Sequence, residues 1–249
     1  MRALLAWRPR SSEPNVRLDQ LAIGIAVDVV LAIAWIGLVL RQRWRLAWLF
    51  SAYVPVVVVC GLLQAIAPAQ FFVAWFWMAK QVAYDILKLG IALELAWRTF
   101  RAFPGAQAAA RPVLLAILGF TTVAVMAAPT DSSASELFLI ASGQLHPRVL
   151  NGTIWLMAAT LALAHWYRVP VHPFHAALLA SFAAYLTLFG TLLRLEGLYG
   201  WAAQPYLNAV DPPAYLALVC WWAFLAWRTE SPTVRAYTDT IRKLELRTA

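Results

Sequence analysis

Seven apolar stretches of the sequence are candidates to cross a lipid bilayer as helices, which takes about 20 residues each. They cover 20–40, 45–66, 71–97, 111–129, 150–167, 173–195 and 213–227. Hydrophobic residues make up 62% of the 249-residue chain and charged residues only 13%, so a soluble fold could not cover this much apolar surface. The sequence therefore predicts an all-α polytopic membrane protein, a bundle of seven transmembrane helices.

The seven stretches form one transmembrane domain, 20–228, between an N-terminal tail, 1–19, and a short C-terminal tail, 229–249. Several prolines are expected at the edges of helices, where a missing backbone N–H is least harmful. They are Pro68, Pro112, Pro170, Pro173, Pro212 and Pro213. The segment 197–213, rich in Gly, Pro and aromatic residues, is predicted to be a loop that serves either as an ordered lid or as a belt of membrane anchors.

The distribution of Lys and Arg predicts the orientation. With the N-terminus outside, the cytoplasmic segments hold twelve of these residues and the outer segments hold six. Because basic residues concentrate on the cytoplasmic side, we predict a bacterial inner membrane protein with its N-terminus outside and its C-terminus in the cytoplasm. The net charge of +8 comes from short clusters at the ends of apolar runs, so we expect contact with lipid head groups and not with nucleic acid.

The third stretch carries ammonium and carboxylate groups that must be hidden from lipid, since each costs roughly 3 kcal/mol or more at mid-membrane. We therefore expect a bundle with a polar core, for which the candidates are Asp28, Lys80, Tyr84, Asp85, Lys88 and Glu94. Asp85 and Lys88 are three residues apart and can pair along one helix. Asp28 and Lys80 lie at similar depths in the first and third spans, which predicts an ion pair between them. Such a pair either fixes the helix register or handles protons, ions or a charged ligand.

Polar and aromatic residues near the outer face also suggest a small-molecule pocket, although ordinary helix ends would look the same. Its candidates are Arg194, Glu196, Trp201 and Asp211. His172 and His175 could share a helix face and hold a metal, but no Cys, Asp or Glu lies in their loop to complete a site. His146 is expected near the opposite membrane face and cannot join them. We therefore expect neither a metal nor another cofactor.

The C-terminal tail contains an apolar stripe with basic residues around it. Its members, spaced by three, four and three residues, are Val234, Tyr237, Ile241 and Leu244. This spacing is typical of an amphipathic helix that lies on the inner leaflet or docks a partner. The tail is too short to be an effector domain, so we expect the protein to work with another membrane or cytoplasmic protein.

Three parts of the chain carry a resemblance to known sequences: FFVAWFW at 71–77, LELAWR at 93–98, and the last loop and span from PYLN at 205–208 to PAY at 213–215. Between about 45 and 228, the order of these features resembles a group of uncharacterised bacterial seven-transmembrane-helix membrane proteins. That resemblance implies the topology, and the group has no assigned activity to carry over.

Three functions are compatible with the sequence. The first is a non-enzymatic sensory or accessory (scaffold) subunit of a membrane complex, whose polar core binds a ligand. The second is a small-solute transporter or proton-coupled channel that uses Asp28, Lys80, Asp85 and Lys88. The third is an intramembrane enzyme with Glu94 or the loop histidines as acid–base groups, but the HExxH, GxSxG and GxxxxGK[ST] motifs are missing from the sequence, which disfavours it. A continuous polar path between the two faces would favour transport.

Overall fold

A computed structural model describes residues 14–71, 73–101, 103–127 and 145–229, except for the side chains of 14–21, 74, 104 and 201. All regular structure in these ranges is helical, as predicted. The long helices are α1 (Pro14–Leu40), α2 (Trp48–Ile66), α3 (Ala74–Phe100), α4 (Pro104–Met126), α5 (His146–Trp166), α6 (Pro173–Tyr199) and α7 (Gln204–Trp227). Short helical turns occupy Arg43–Arg45, Pro68–Phe71 and Gly200–Ala203.

Six of the helices in the described ranges, all except α3, are long and apolar enough to cross a membrane. The chain is therefore compatible with a multi-pass membrane protein. The α3 helix is 27 residues long and differs from the others by its charged residues, which include Lys80, Asp85, Lys88 and Glu94. The predicted count of seven spans thus depends on α3.

Six helices form a closed ring in the order α1, α2, α3, α5, α6 and α7. Each helix contacts its two neighbours, α7 closes the ring on α1, and α3 also contacts α6 across the ring. The α4 helix lies outside the ring and packs mainly against α5. The end of the bundle at which α1, α3, α5 and α7 begin is named the upper end here, and the opposite end is the lower end.

The helix ends differ from the predicted ones at the upper end and before α4. Because α4 begins at Pro104 and α7 at Gln204, the residues Pro112, Pro212 and Pro213 lie inside helices, and their predicted place at helix edges was wrong. The predicted loop over 197–213 was wrong as well, since this segment is almost entirely helical. Prolines are tolerated inside membrane helices because neighbouring helices and local adjustments satisfy the freed backbone groups.

The lower half of the ring is filled by four buried aromatic side chains, named the aromatic floor: Phe50, Phe174, Phe182 and Trp222. The ring of Phe50 meets Trp222 edge-on at 5.2 Å, and the rings of Phe182 and Trp222 are 4.5 Å apart. Aromatic pairs of this kind contribute about 0.5–1.5 kcal/mol each beyond their buried area. The Trp222 indole N–H donates to the Ser181 hydroxyl at 3.1 Å, so its polar atom is satisfied inside the bundle.

Candidate functional site

The α3 helix keeps its charged and its apolar residues on different faces. Asp85 and Lys88 are buried inside the ring. The large side chains at the perimeter follow a helical spacing of seven, four, seven and four residues: Trp75, Val82, Ile86, Leu93 and Trp97. A helix with this pattern presents an apolar surface to its surroundings and keeps its charges in the interior.

The centre of the polar core is the carboxylate of Asp85, which touches three side chains. Its Oδ2 is 2.7 Å from Nδ1 of His146, the first residue of α5. Its Oδ1 accepts a hydrogen bond of 3.1 Å from Gln81 Nε2 and lies 3.7 Å from Lys88 Nζ. The Lys88 ammonium also lies 5.9 Å from the centre of the Tyr84 ring, within the range of a cation–π contact. One carboxylate thus connects α3 to α5 and holds the buried ammonium.

The short contact between Asp85 and His146 requires a proton between the two atoms, since an unprotonated nitrogen and a carboxylate oxygen would repel each other. When Nδ1 carries the proton, it donates to Oδ2, and the Gln81 amide donates to Oδ1. His146 is 5% exposed and its ring meets Phe189 at 6.0 Å, so water has little access to it. The hydrogen bond between these two side chains is therefore buried.

An apolar cavity of about 250 Å³ lies beside this group, between α3, α5 and the end of α4. Gln81, Asp85 and His146 line it together with apolar residues such as Trp77 and Val125. A charged solute would lose its hydration in such a cavity without replacement, so this side of the polar core is unsuited to charged ligands.

Lys80 lies elsewhere than predicted, because its ammonium donates to Gln64 Oε1 of α2 at 3.0 Å. Among the residues that the structure describes, no ion pair joins Asp28 to Lys80, so the predicted pair was wrong. The reason is the order of the ring: α2 lies between α1 and α3 and keeps the two side chains apart. The similar depths of Asp28 and Lys80 were not enough to predict a contact, because α1 and α3 are not neighbours.

The Asp28 carboxylate lies instead against the backbone of α2. A Cβ atom added to Gly61 would lie 2.7 Å from both carboxylate oxygens of Asp28, so only glycine leaves room for them at this position. In the described part of the chain, no side chain donates a hydrogen bond to this carboxylate.

A core cavity of about 560 Å³ opens beside Asp28 in the upper half of the bundle. Its polar lining comes from four helices: Asp28 of α1, Gln64 of α2, Tyr185 of α6, and Asp211 and Tyr215 of α7. The Tyr185 hydroxyl donates to Asp211 Oδ1 at 3.0 Å, and the Tyr185 and Tyr215 rings are 5.3 Å apart. The exposed Pro68 lies on its rim, so the cavity reaches the upper end of the bundle.

The charges of this region do not cancel by themselves. Its three carboxylates belong to Asp28, Asp85 and Asp211, its two ammonium groups to Lys80 and Lys88, and its imidazole to His146. When all the carboxylates are ionised, one more positive charge is needed for balance.

At the lower end, charged side chains form hydrogen bonds with the backbone groups that helix ends leave without a partner. Both oxygens of Glu94 accept hydrogen bonds from the first amides of α2, Trp48 N at 2.9 Å and Leu49 N at 2.8 Å. The same carboxylate accepts from Arg98 Nε at 2.8 Å. Amide groups at the start of a helix have no partner within it and favour negative charge. Glu94 therefore caps α2. It is not part of the polar core around Asp85.

The end of α7 is held in a similar way by Arg43. This buried guanidinium donates to the carbonyls of Leu225 and Arg228, which a helix leaves without internal partners. A His175 ring nitrogen lies 2.9 Å from the carbonyl of Leu46. These contacts join the connection between α1 and α2 to α6 and α7 at the lower end.

The two histidines named as metal candidates lie at the start of α6. Their ring centres are 5.4 Å apart, and His172 Nδ1 accepts a hydrogen bond of 3.2 Å from the Phe174 amide. In the described ranges, no group of three or more His, Cys, Asp or Glu side chains is placed to hold a metal ion.

Two residues of the predicted outer pocket, Arg194 and Asp211, line different cavities. Asp211 lines the core cavity, whereas Arg194 lines a different cleft, between α4 and α5. Glu196 is exposed near the end of α6, and the side chain of Trp201 lies outside what the structure describes. The apolar stripe of the C-terminal tail, Val234 to Leu244, also lies outside the described residues.

Sequence reasoning missed His146, Gln81, Tyr185 and Tyr215. The first was expected outside the membrane helices, because the fifth span was predicted to begin at 150 and not at His146. The signal was present in Gln81, which lies on the same face of α3 as Asp85, four residues away. Tyr185 and Tyr215 occur in apolar runs, where a tyrosine alone gives little indication of a site.

Comparison with known proteins gives no match: no family model fits the chain, and neither a curated protein nor a solved structure is similar to it. The function is therefore argued from the geometry of the core cavity and the polar core.

Proposed function

We propose that this protein is a non-enzymatic membrane receptor, a sensory or accessory subunit that binds a small polar solute in its core cavity. The observation that carries the proposal is the shape of the interior. A largely apolar cavity with five polar side chains in its lining lies in the upper half of the bundle, and the buried aromatic floor fills the lower half. A cavity that the buried aromatic residues separate from the lower end suits binding and signalling, whereas transport needs access from both sides.

The proposal includes seven spans, with α3 as the third. This helix contacts α2 on one side and α5 on the other, inside a ring whose other members are apolar enough to span. If those helices cross a bilayer, α3 crosses it with them, and its charged face is covered by its neighbours. The excess of basic residues in the loops of the lower end supports a bacterial inner membrane location with the N-terminus outside. Reporter fusions at each end of the chain test this orientation.

The lining of the core cavity defines the solutes to test first. Asp28 and Asp211 contribute carboxylates, and Tyr185 and Tyr215 contribute aromatic rings, a combination that favours small organic cations. Purified protein in mild detergent is heated with a panel of amines, neutral polyols and carboxylic acids. A solute present at a hundred times its dissociation constant should stabilise the folded state by about 2.7 kcal/mol.

Matched variants decide whether the stabilisation comes from this cavity. Asp211→Asn should abolish the thermal shift, because it removes a charge from the lining. Glu196→Gln, the same change at an exposed position outside the cavity, should leave it intact. A shift that survives Asp211→Asn and Asp28→Asn together would contradict binding in the core cavity.

One observation supports the second candidate function, proton-coupled transport. Three ionisable side chains, Asp85, His146 and Lys88, contact one another at buried positions. Reconstituted proteoliposomes with a pH-sensitive dye inside and the stabilising solute outside test this. No solute uptake and no proton flux are expected of a receptor. Uptake that is lost in Asp85→Asn would favour the transporter instead.

The proposal assigns partner docking to the C-terminal tail. Its support is the apolar stripe, Val234, Tyr237, Ile241 and Leu244, with basic residues around it. Purification in mild detergent should recover a second membrane or cytoplasmic protein with the full chain. Replacing Tyr237 and Ile241 by Ser should remove that protein, and the thermal shift by the solute serves as the control for correct folding.

A further inference from the structure

A second cavity of about 560 Å³ lies on the outside of the ring, between α4 and α5 with a contribution from α6. This upper cleft is lined by four polar residues, Thr121, Arg148, Asn151 and Arg194. Its main apolar residues are Ile117, Phe120 and Trp155. None of these residues belongs to the core cavity, so the two cavities are separate sites.

The polar part of the upper cleft is positively charged. Arg148 Nη1 donates to the Ala124 carbonyl near the end of α4 at 2.5 Å, and Arg194 Nη2 is 3.5 Å from Asn151 Oδ1. A guanidinium has five N–H donors, so one such contact leaves donors for a ligand. Within the described ranges, no carboxylate lines the cleft or forms an ion pair with either arginine.

The arginines lie at the depth of a lipid head group if the bundle spans a bilayer. Arg148 is the third residue of α5 and Arg194 is five residues before the end of α6, so both lie within two helical turns of the upper end. Trp155 lies seven residues, or about 10 Å, farther along α5 on the same face as Arg148. A ligand that spans the cleft would therefore be charged at one end and apolar over the next 10 Å.

The apolar part of the cleft opens to the perimeter of the bundle. Phe120 is 77% exposed and Trp155 is 67% exposed, so both rings face away from the ring of helices. At the base of the cleft α4 and α5 touch, because a Cβ atom on Gly152 would overlap the Thr121 side chain. This contact leaves a groove that is open sideways, toward the place of acyl chains, and closed toward the core.

We propose that the upper cleft binds an anionic glycerophospholipid, with the lipid phosphate between Arg148 and Arg194 and an acyl chain along Phe120 and Trp155. Arginine matches phosphate oxygens with paired N–H donors, and the apolar groove distinguishes a lipid from a soluble phosphate ester. The site depends on the bundle lying in a bilayer but not on a solute in the core cavity, so either proposal can fail alone.

Native mass spectrometry of the full chain in mild detergent tests the site with three probes. Phosphatidylglycerol and phosphatidylcholine of the same acyl chains differ in net charge, and glycerol 3-phosphate lacks the chains. Phosphatidylglycerol should bind at least about tenfold, or about 1.4 kcal/mol, tighter than either of the others. The choline cation of phosphatidylcholine adds a positive charge beside the two arginines, and glycerol 3-phosphate has no acyl chain to bury in the groove. Equal binding of the two lipids would overturn the assignment to an anionic lipid. Equal binding of glycerol 3-phosphate would overturn the lipid assignment.

Variants locate the binding on the structure. Arg148→Gln combined with Arg194→Gln should remove the preference for phosphatidylglycerol, and Arg168→Gln, at the lower end, should keep it. Trp155→Ala should weaken the binding of both lipids and leave the ratio of their affinities unchanged. If the double variant does not fold, Arg148→Lys with Arg194→Lys keeps the charge, and an unchanged affinity there would contradict paired arginine contacts. A preference that persists in the double glutamine variant places the lipid elsewhere and overturns the proposal.

Discussion

The Asp85 carboxylate and the His146 imidazole are 2.7 Å apart inside the bundle, although 61 residues separate them in the sequence. The contact joins α3 to α5, which are neighbours only because α4 lies outside the ring. It also explains how α3 can carry a buried ammonium group, since the same carboxylate lies 3.7 Å from Lys88 Nζ. The same carboxylate thus contacts the neighbouring helix α5 and provides the counter-ion of the buried Lys88.

Replacement of Asp85 by Asn should destabilise the protein by about 3 kcal/mol, because Lys88 would stay buried without its counter-ion. Thermal unfolding in detergent, followed by tryptophan fluorescence, measures the loss. The double change Asp85→Asn and Lys88→Met should recover at least half of it, since it removes the uncompensated charge. Glu196→Gln, an exposed change of the same kind, serves as the control. A double variant as unstable as the single one would show that the ion pair is not the source of the stability.

Glu94→Gln should cost about 1–2 kcal/mol of stability, the usual range for a lost helix cap. The residue that precedes α2, Ala47, has no side-chain cap of its own, so Glu94 supplies it from another helix. A glutamine keeps one acceptor oxygen and loses the charge that favours a helix start. The solute-induced thermal shift should be unchanged, because the core cavity lies in the other half of the bundle. A full loss of that shift with normal stability would favour a functional role for Glu94.

Arg43→Lys should lower stability by about 1 kcal/mol or more, because one ammonium group cannot reach two carbonyls as a planar guanidinium does. Arg43 donates to Leu225 and Arg228 at the end of α7. Arg45→Lys changes an exposed residue in the same short helix and should have little effect. Hydrogen exchange should locate the weakening at the end of α7. Equal melting temperatures of the Arg43→Lys and Arg45→Lys variants would contradict a capping role for Arg43.

Much of the fold follows from the sequence, because lipid imposes helices and their approximate length. The pairing of side chains does not follow, since it depends on which helices are neighbours. Asp28 and Lys80 have matching depths, but α2 separates them, and Lys80 meets Gln64 instead. His146 was missed because α5 begins four residues earlier than its hydrophobicity indicates. The contact between Asp85 and Lys88 could be predicted, because both residues lie on one helix, three residues apart.

Gly61→Ala should disturb the core cavity directly. The new methyl group would lie 2.7 Å from both oxygens of Asp28, so the carboxylate must move or α1 must separate from α2. Crowding of this kind costs about 1–3 kcal/mol in a packed interior. Gly119→Ala is the matched control, because nothing lies within 4 Å of its added Cβ, and it should be neutral or slightly stabilising.

The combined variant Gly61→Ala and Asp28→Ala separates packing from binding. Removing the carboxylate makes room for the methyl group, so the melting temperature should return toward that of the unchanged protein. Solute affinity, measured by the thermal shift, should remain low, since the cavity has lost a charge. Recovery of both properties would mean that Asp28 only fills space beside α2. Recovery of stability alone would establish that the close approach at Gly61 serves to hold the Asp28 carboxylate at the core cavity.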